Sequence, residues 1–153
     1  MRIETQRLLV RPFEKRDLDA LCAVLSDPET MKYIEPPFSC ERTARFLREA
    51  GLCEPPLVFA AEDHGGVIGH VIFHACGAPD RYEVGWVLRR DRWGRGYASE
   101  LTAALIAEGR ARGLKSLLIE CDPRQAATRR IAEAFGFRPA GREDGLEVFL
   151  LEL

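Results

Sequence analysis

A chain of 153 residues, 46% hydrophobic and 30% charged, has the length of one domain, residues 1–153, and enough apolar content for a core without staples. Its 22 basic and 24 acidic side chains leave a formal charge of −2, which gives no global case for nucleic acid or an anionic membrane, and its longest apolar run falls far short of the ~18 residues of a bilayer span. Cysteines at 22, 40, 53, 76 and 121 form no C-x-x-C pair and follow no signal peptide, so the expected location is a reducing cytoplasm.

The elements follow in order. Ile3 to Arg11 reads as a strand ended by Pro12. Leu18, Leu21, Cys22 and Leu25 have helical spacing, with Asp17 as N-cap. Asp27-Pro28-Glu29 starts a short turn or helix that Pro36-Pro37 breaks. Ser39 to Gly51 reads as a helix capped by Ser39 and closed by a C′ glycine. Leu57–Ala61 and Val67–His74 form a hairpin around Asp63-His64-Gly65-Gly66, and Arg81–Leu88 is the next strand. Ser99 to Arg112 is a helix stopped by Gly113, and Leu117–Cys121 a buried-type strand. Asp122 as N-cap, Pro123 at N1 and Gln125 at N3 open the last helix, which Gly136 ends. Phe137–Ala140 and Glu147–Glu152 close the chain as strands. Three consecutive strands before a single strand–helix–strand crossover predict an α+β fold: a mixed, mostly antiparallel sheet with helices on both faces.

One stretch carries chemistry. The strand Val84–Leu88 runs into Arg89-Arg90-Asp91-Arg92-Trp93-Gly94-Arg95-Gly96, which opens directly into a helix. Glycines that accept φ > 0, helix amides without intrahelical partners and four nearby arginines make an anion site. Part of the arginine cluster also reads as a solvated face. The dinucleotide fingerprint G-x-G-x-x-G fails at Ser99, and a single crossover is not a doubly wound sheet, although Glu120 and Asp122 sit where a ribose-binding acid would. His70, His74 and Cys76 share a strand face, but in an extended strand they spread over roughly 20 Å, too far for one metal ion. His74 is then free to face a substrate cleft, and the cysteines read as small core residues.

The segments Ile3–Pro12, Glu83–Leu88, Trp93–Glu100 and Phe135–Phe137, in this order and spacing, resemble the GNAT superfamily of acyl-CoA-dependent N-acyltransferases. The likeness is to the branch of the ribosomal-protein N-terminal acetyltransferases, and it covers nearly the whole chain. It implies a three-layer α/β/α fold, about seven strands, and a V-shaped splay between strands 4 and 5. It implies acetyl-CoA as cosubstrate, with pantetheine along strand 4 near Val87 and Leu88. The pyrophosphate would rest on amides of Trp93, Gly94, Arg95, Gly96, Tyr97, Ala98 and Ser99. The family's Asn and Ser in the last helix correspond here to Gln125 and Thr128, and its tyrosine acid is absent from that helix.

Transfer to an amine needs a base, a polarised carbonyl and a proton for the leaving thiolate. Glu83 matches the branch's acidic residue and is the candidate base, against the alternative of a surface glutamate paired with Arg81. Thr128 is the candidate proton donor, with a plain helix hydroxyl as an equal reading. Gln125 is a pantetheine contact by resemblance and a partner of Asp122 by capping logic, and capping is favoured. Residues 27–40, with Tyr33, Ile34, Pro36, Pro37 and Phe38, read either as acceptor wall or as packing. The expectation is an N-acetyltransferase acting on a protein N-terminus or small amine, without metal, nucleic acid or membrane, and admitting a homodimer. A CoA-binding regulatory module with reduced catalysis is the second reading, and a dinucleotide-binding domain the third.

Overall fold

A computed structural model describes all 153 residues. Eight strands form a single sheet in the order β1-β2-β3-β4-β5-β6-β8-β7. They are β1 (Ile3–Glu4), β2 (Leu9–Arg11), β3 (Val58–Asp63), β4 (Gly66–Cys76), β5 (Ala78–Leu88), β6 (Ser116–Cys121), β7 (Arg138–Glu143) and β8 (Leu146–Glu152). The helices are α1 (Leu18–Leu25), α2 (Pro28–Met31), α3 (Cys40–Phe46), α4 (Tyr97–Ala111) and α5 (Ala126–Ala134). Every neighbouring pair is antiparallel except β5–β6. The predicted α+β class and mixed sheet are therefore present, with eight strands rather than about seven.

The extra strand comes from the N-terminus, where the single predicted strand is a hairpin. Thr5 N–H donates to Leu8 O at 2.9 Å, and Ile3 pairs with Val10. The Asp63–Gly66 hairpin forms as its turn residues predict.

The alternating strands fill two cores. On one face Val10, Phe59, Val71, Phe73, Val84, Leu117 and Phe149 pack with Leu101, Leu105 and Ile106 of α4. On the other, Val58, Ala60, Val67 and Val87 meet Leu21, Val24 and Leu25 of α1, with Met31, Phe38 and Leu47.

Three local expectations are corrected. Asp17 stands at the start of α1 but makes no side-chain cap. Its buried carboxylate instead takes both Arg11 nitrogens at 2.8 and 3.0 Å and the Glu14 amide at 2.8 Å, because a buried charge demands a full set of partners. Gly51 is not a left-handed cap. It ends a π-helical turn (47–51), and a Cβ there would lie 2.9 Å from the Phe13 ring, so closeness rather than φ demands glycine. The last helix begins at Ala126, because residues 122–125 form a turn in which Gln125 N–H reaches Asp122 O at 2.9 Å. By contrast Ser39 and Asp27 cap α3 and α2 through Arg42 N–H (3.1 Å) and Thr30 N–H (3.0 Å).

His70 is 5% exposed, lies 5.3 Å from the Phe46 ring, and leaves Nδ1 without a partner. Burial pushes its pKa down from 6.5 to about 4. The unfolded chain therefore takes up the proton first, and stability is lost as pH falls from 6.5 towards 4. The linked loss is about 3 kcal/mol at pH 4. His70→Leu should remove that part of the acid slope in urea unfolding measured between pH 7 and pH 4, while the carboxylate contributions remain.

Candidate active site

The parallel pairing of β5 with β6 is short. Only Arg81, Tyr82 and Glu83 pair, with Ser116, Leu117 and Leu118. Beyond them β5 stays with β4 as far as Leu88, while β6 stays with β8 as far as Cys121. The sheet splays open between the strands that the sequence numbers 4 and 5. Arg89 N–H donates to Ile68 O on β4 at 2.7 Å, whereas Asp80 O accepts from Lys115 N–H on the β6 side at 2.8 Å. By the alternation of an antiparallel ladder, residues 83, 85 and 87 bond to β4, and Val84, Trp86 and Leu88 turn their backbone groups to the gap. Val87 can thus offer the gap its side chain, not its amide. Leu88 O is already taken by the Trp93 indole at 2.9 Å, which ties the loop to the strand end.

The gap widens into a cavity of about 730 Å³. Trp86, Val87 and Leu88 form one wall; Trp93, Gly94, Gly96, Tyr97, Ala98 and Ser99 form its end. Gly94 and Gly96 have φ of 71° and 78°, so the chain turns left-handed twice before α4 begins. The first intrahelical bond is Glu100 N–H to Gly96 O at 3.0 Å, and no side chain caps the helix. The amides of Tyr97, Ala98 and Ser99 are therefore left to an external acceptor, at the positive end of a 15-residue dipole.

The arginine funnel is weaker than the sequence implies. Arg89 pairs with Asp91 at 2.6 Å, Arg92 with Asp63 at 2.6 Å, and Arg90 with Asp27 at 3.4 Å. Burial alone would raise the Asp63 pKa, but the Arg92 bond holds that carboxyl below its ordinary range. Arg95 is exposed and does not line the cavity. What holds the loop is Arg7, which the sequence reading did not single out. Arg7 Nη1 donates to Arg95 O at 2.7 Å, Nε to Glu100 Oε2 at 2.7 Å, and its guanidinium lies 4.5 Å from the Tyr97 ring centre. Glu100 also accepts from Thr5 Oγ1 at 2.6 Å. The spacing of Arg7 from the loop in sequence conceals a contact that only the N-terminal hairpin creates.

The facing wall is α5, with Ala127, Thr128, Ile131 and Ala134 towards the cavity. Gln125 also lines it, but its Oε1 accepts from Asp122 N–H at 2.9 Å, the partner favoured from the sequence, in the turn before α5 rather than as a helix cap. Tyr33 closes the roof, its ring centre 4.7 Å from the Arg124 guanidinium, and Ile34 lies beside it. Of the predicted acceptor segment 27–40, Glu29, Thr30, Lys32, Tyr33 and Ile34 line the cavity. Pro36, Pro37 and Phe38 do not, and Phe38 is buried in the second core.

Glu83 sits at the apex of the splay, outside the cavity lining. Its partner is not Arg81: His74 Nε2 lies 3.3 Å from Glu83 Oε2, and the two residues face each other across the ladder. Glu120, on the splayed part of β6, shares this environment. Burial, and then the charge of Glu83, raises its pKa. His70 lies in the core while His74 turns to Glu83, so the two do not converge.

The GNAT acetyltransferase domain model matches residues 7–138. The chain belongs to the GNAT acetyltransferase family. It is 32% identical over 144 residues to the uncharacterized N-acetyltransferase YnaD of Bacillus subtilis (strain 168), covering 92% of this chain and 85% of that protein. It is 30% identical to the uncharacterized N-acetyltransferase p20 of Bacillus licheniformis, covering 90% and 82%. Among solved structures, a GNAT-family acetyltransferase from Bacillus anthracis superposes with a TM-score of 0.89 at 28% identity, over 99% of this chain and 98% of that one. The ribosomal L7/L12 alpha-N-protein acetyltransferase RimL, in complex with coenzyme A, has the same fold, with a TM-score of 0.84 at 18% identity, over 100% of this chain and 98% of that one.

GNAT acetyltransferases use acetyl-CoA, and the residues of this cavity fit it: an open strand edge, followed by unpaired amides at a helix start. Of the predicted site residues, Val87, Leu88, Trp93, Gly94, Gly96, Tyr97, Ala98, Ser99, Gln125 and Thr128 are brought together around one cavity; Arg95 and Glu83 lie outside its lining. Trp86 and Arg7 were missed. Trp86 could have been found by the two-residue period of the strand, but Arg7 had no local signal.

Gly96→Ala should cost about 1–2 kcal/mol of stability, since alanine must enter the left-handed region at the same φ. Arg7→Ala should weaken coenzyme A binding about tenfold in titration calorimetry, a loss of ~1.4 kcal/mol, because the loop and the first turn of α4 lose both bonds from Arg7.

Proposed function

We propose that this protein transfers the acetyl group of acetyl-CoA directly to a primary amine, either a peptide N-terminus or a small molecule. The observation that carries the reading is the continuity of the open β5 edge with the uncapped start of α4 in one cavity. A linear thioester on a diphosphate handle needs both features together. The backbone groups of Trp86 and the amide of Leu88 would align the pantetheine as an added strand, and the amides of Tyr97, Ala98 and Ser99 would take the pyrophosphate. Bound there, acetyl-CoA supplies an electrophilic carbonyl at the splay. Glu83 accepts the first amine proton, directly or through water; the second, released as the amide forms, passes through Thr128 on the facing wall or through water to the departing thiolate, so the Thr128 hydroxyl ends as it began. Tyr33 and Ile34 on the roof form the acceptor side.

The acceptor reading includes a protein N-terminus because RimL, named for that activity, shares the fold. The chain acts as one domain over residues 1–153. A cytoplasmic location is supported by five unpaired cysteines; in addition, no helix is long and apolar enough to cross a membrane.

Acetyl-CoA at about 100 times its dissociation constant should add about 2.7 kcal/mol of stability in thermal unfolding, and NAD should add none. If NAD alone stabilises, the cosubstrate reading is wrong. Thiol release from acetyl-CoA over a panel of peptides and small amines should fall by about 10²–10⁴ in Glu83→Gln. Full activity in that variant would remove Glu83 as the base. Cosubstrate binding without turnover on any amine would favour the regulatory module.

A further inference from the structure

Glu83 has a dedicated partner that the transfer reaction alone does not call for. His74 stands directly opposite it in the β4–β5 ladder, at the last residue of β5 that still pairs with β6. The imidazole is held at both nitrogens: Nδ1 lies 3.0 Å from Ala75 O, and Nε2 lies 3.3 Å from Glu83 Oε2. Both facing atoms are acceptors, so the ring satisfies both only when it carries two protons. The side chains are 26% and 22% exposed, so the pair is partly screened from water yet can still exchange protons with it.

We infer that His74 is the positioning and proton-relay partner of Glu83. The inference rests on the reading of Glu83 as base. With His74 doubly protonated, Nε2–H bonds the Glu83 carboxylate and holds it as an anion turned away from an incoming ammonium. When His74 is neutral it keeps Nδ1–H on Ala75 O and presents the Nε2 lone pair. The substrate ammonium then gives one proton to the Glu83 carboxylate and becomes the neutral amine. The carboxylic acid passes that proton to Nε2, and the imidazolium releases it to water. Each step moves one proton, and no redox partner is needed.

The surrounding charges favour this order. On β5, only Glu83 acts on His74, and its hydrogen bond raises the histidine pKa above 6.5 against partial burial. The other groups that share the field of Glu83 are Glu120 on β6, Cys76 at the end of β4, Arg81 on β5, and Glu143 and Asp144 of the β7–β8 hairpin. Most are acidic, so a proton arriving at the apex is favoured there. His70, four residues before His74 on the same strand face, is buried against Phe46 and takes no part.

The sign is fixed by the raised value. The pair's contribution to stability is complete below pH 6.5 and is lost as pH rises through the folded value of His74. Catalytic competence of Glu83 rises over the same interval.

Histidine Cε1–H resonances of the free protein, with His74 identified by its absence in His74→Gln, give a test that needs no acceptor. His74 should titrate above 6.5 in the wild type, and at a lower pH in Glu83→Gln, where partial burial is opposed only by the Ala75 carbonyl bond. An identical midpoint in both proteins overturns the pairing. The kinetic arm uses acetyl-CoA with the best amine of the panel. The rising limb of kcat/KM should coincide with the His74 midpoint, and His74→Gln and His74→Asn should lose that limb while KM for acetyl-CoA stays unchanged. If Glu83→Gln is inactive but both His74 variants keep the wild-type limb, the relay is wrong and the base stands. If Glu83→Gln is fully active, the base reading itself has failed.

Discussion

The structure depends on where the β5–β6 pairing stops. Three residue pairs hold the two halves of the sheet together, and the last is Glu83 with Leu118. A longer ladder would give an ordinary mixed sheet with no unsatisfied backbone in its middle. The shorter one leaves Val84, Trp86 and Leu88 with polar groups that need a partner, because an unpaired amide in a largely apolar slot is costly. The open edge is tolerable because the adjoining cavity admits solvent or a ligand. Each half is secured elsewhere, by the long β4–β5 hairpin on one side and by β6–β8 on the other.

That arrangement turns an anion site into a transferase site. The loop after β5 would bind a phosphate wherever it stood. Here it stands at the end of a strand whose edge is free, so a long ligand can be gripped at the diphosphate and laid along the backbone. On the proposed reading the grip is mostly main chain: three of the four nearby arginines are engaged by Asp27, Asp63 and Asp91. Those pairs shape the loop more than they attract the ligand. Arg7 completes it from the other end of the chain, using the N-terminal hairpin as a brace.

The same apex gathers the titratable groups. Glu83, His74 and Glu120 lie where the strands separate, and their proximity follows from the register. A one-residue slip of β4 against β5 would turn either His74 or Glu83 to the opposite face and dissolve the pair. The glutamate and the histidine are nine residues apart in sequence, and nothing in either local pattern announces the contact.

Much of this was legible before any coordinates. The period of the apolar residues, the turn at 63–66, the cap at Ser39, the start at Asp27-Pro28-Glu29 and the Gly94-x-Gly96 turn into α4 are local effects, and local effects are written in neighbouring residues. The strand–turn–helix that carries the proposed anion site belongs to this class, as does the contact of Gln125 with Asp122. The N-terminal hairpin, the Asp17–Arg11 pair that displaced a helix cap, the closeness of Gly51 to Phe13, the brace from Arg7 and the His74–Glu83 pair were decided only by the tertiary structure. Each joins residues whose separation in the chain carries no information about their separation in space, and each is settled by burial, where a charge takes whichever partner the packing brings within reach.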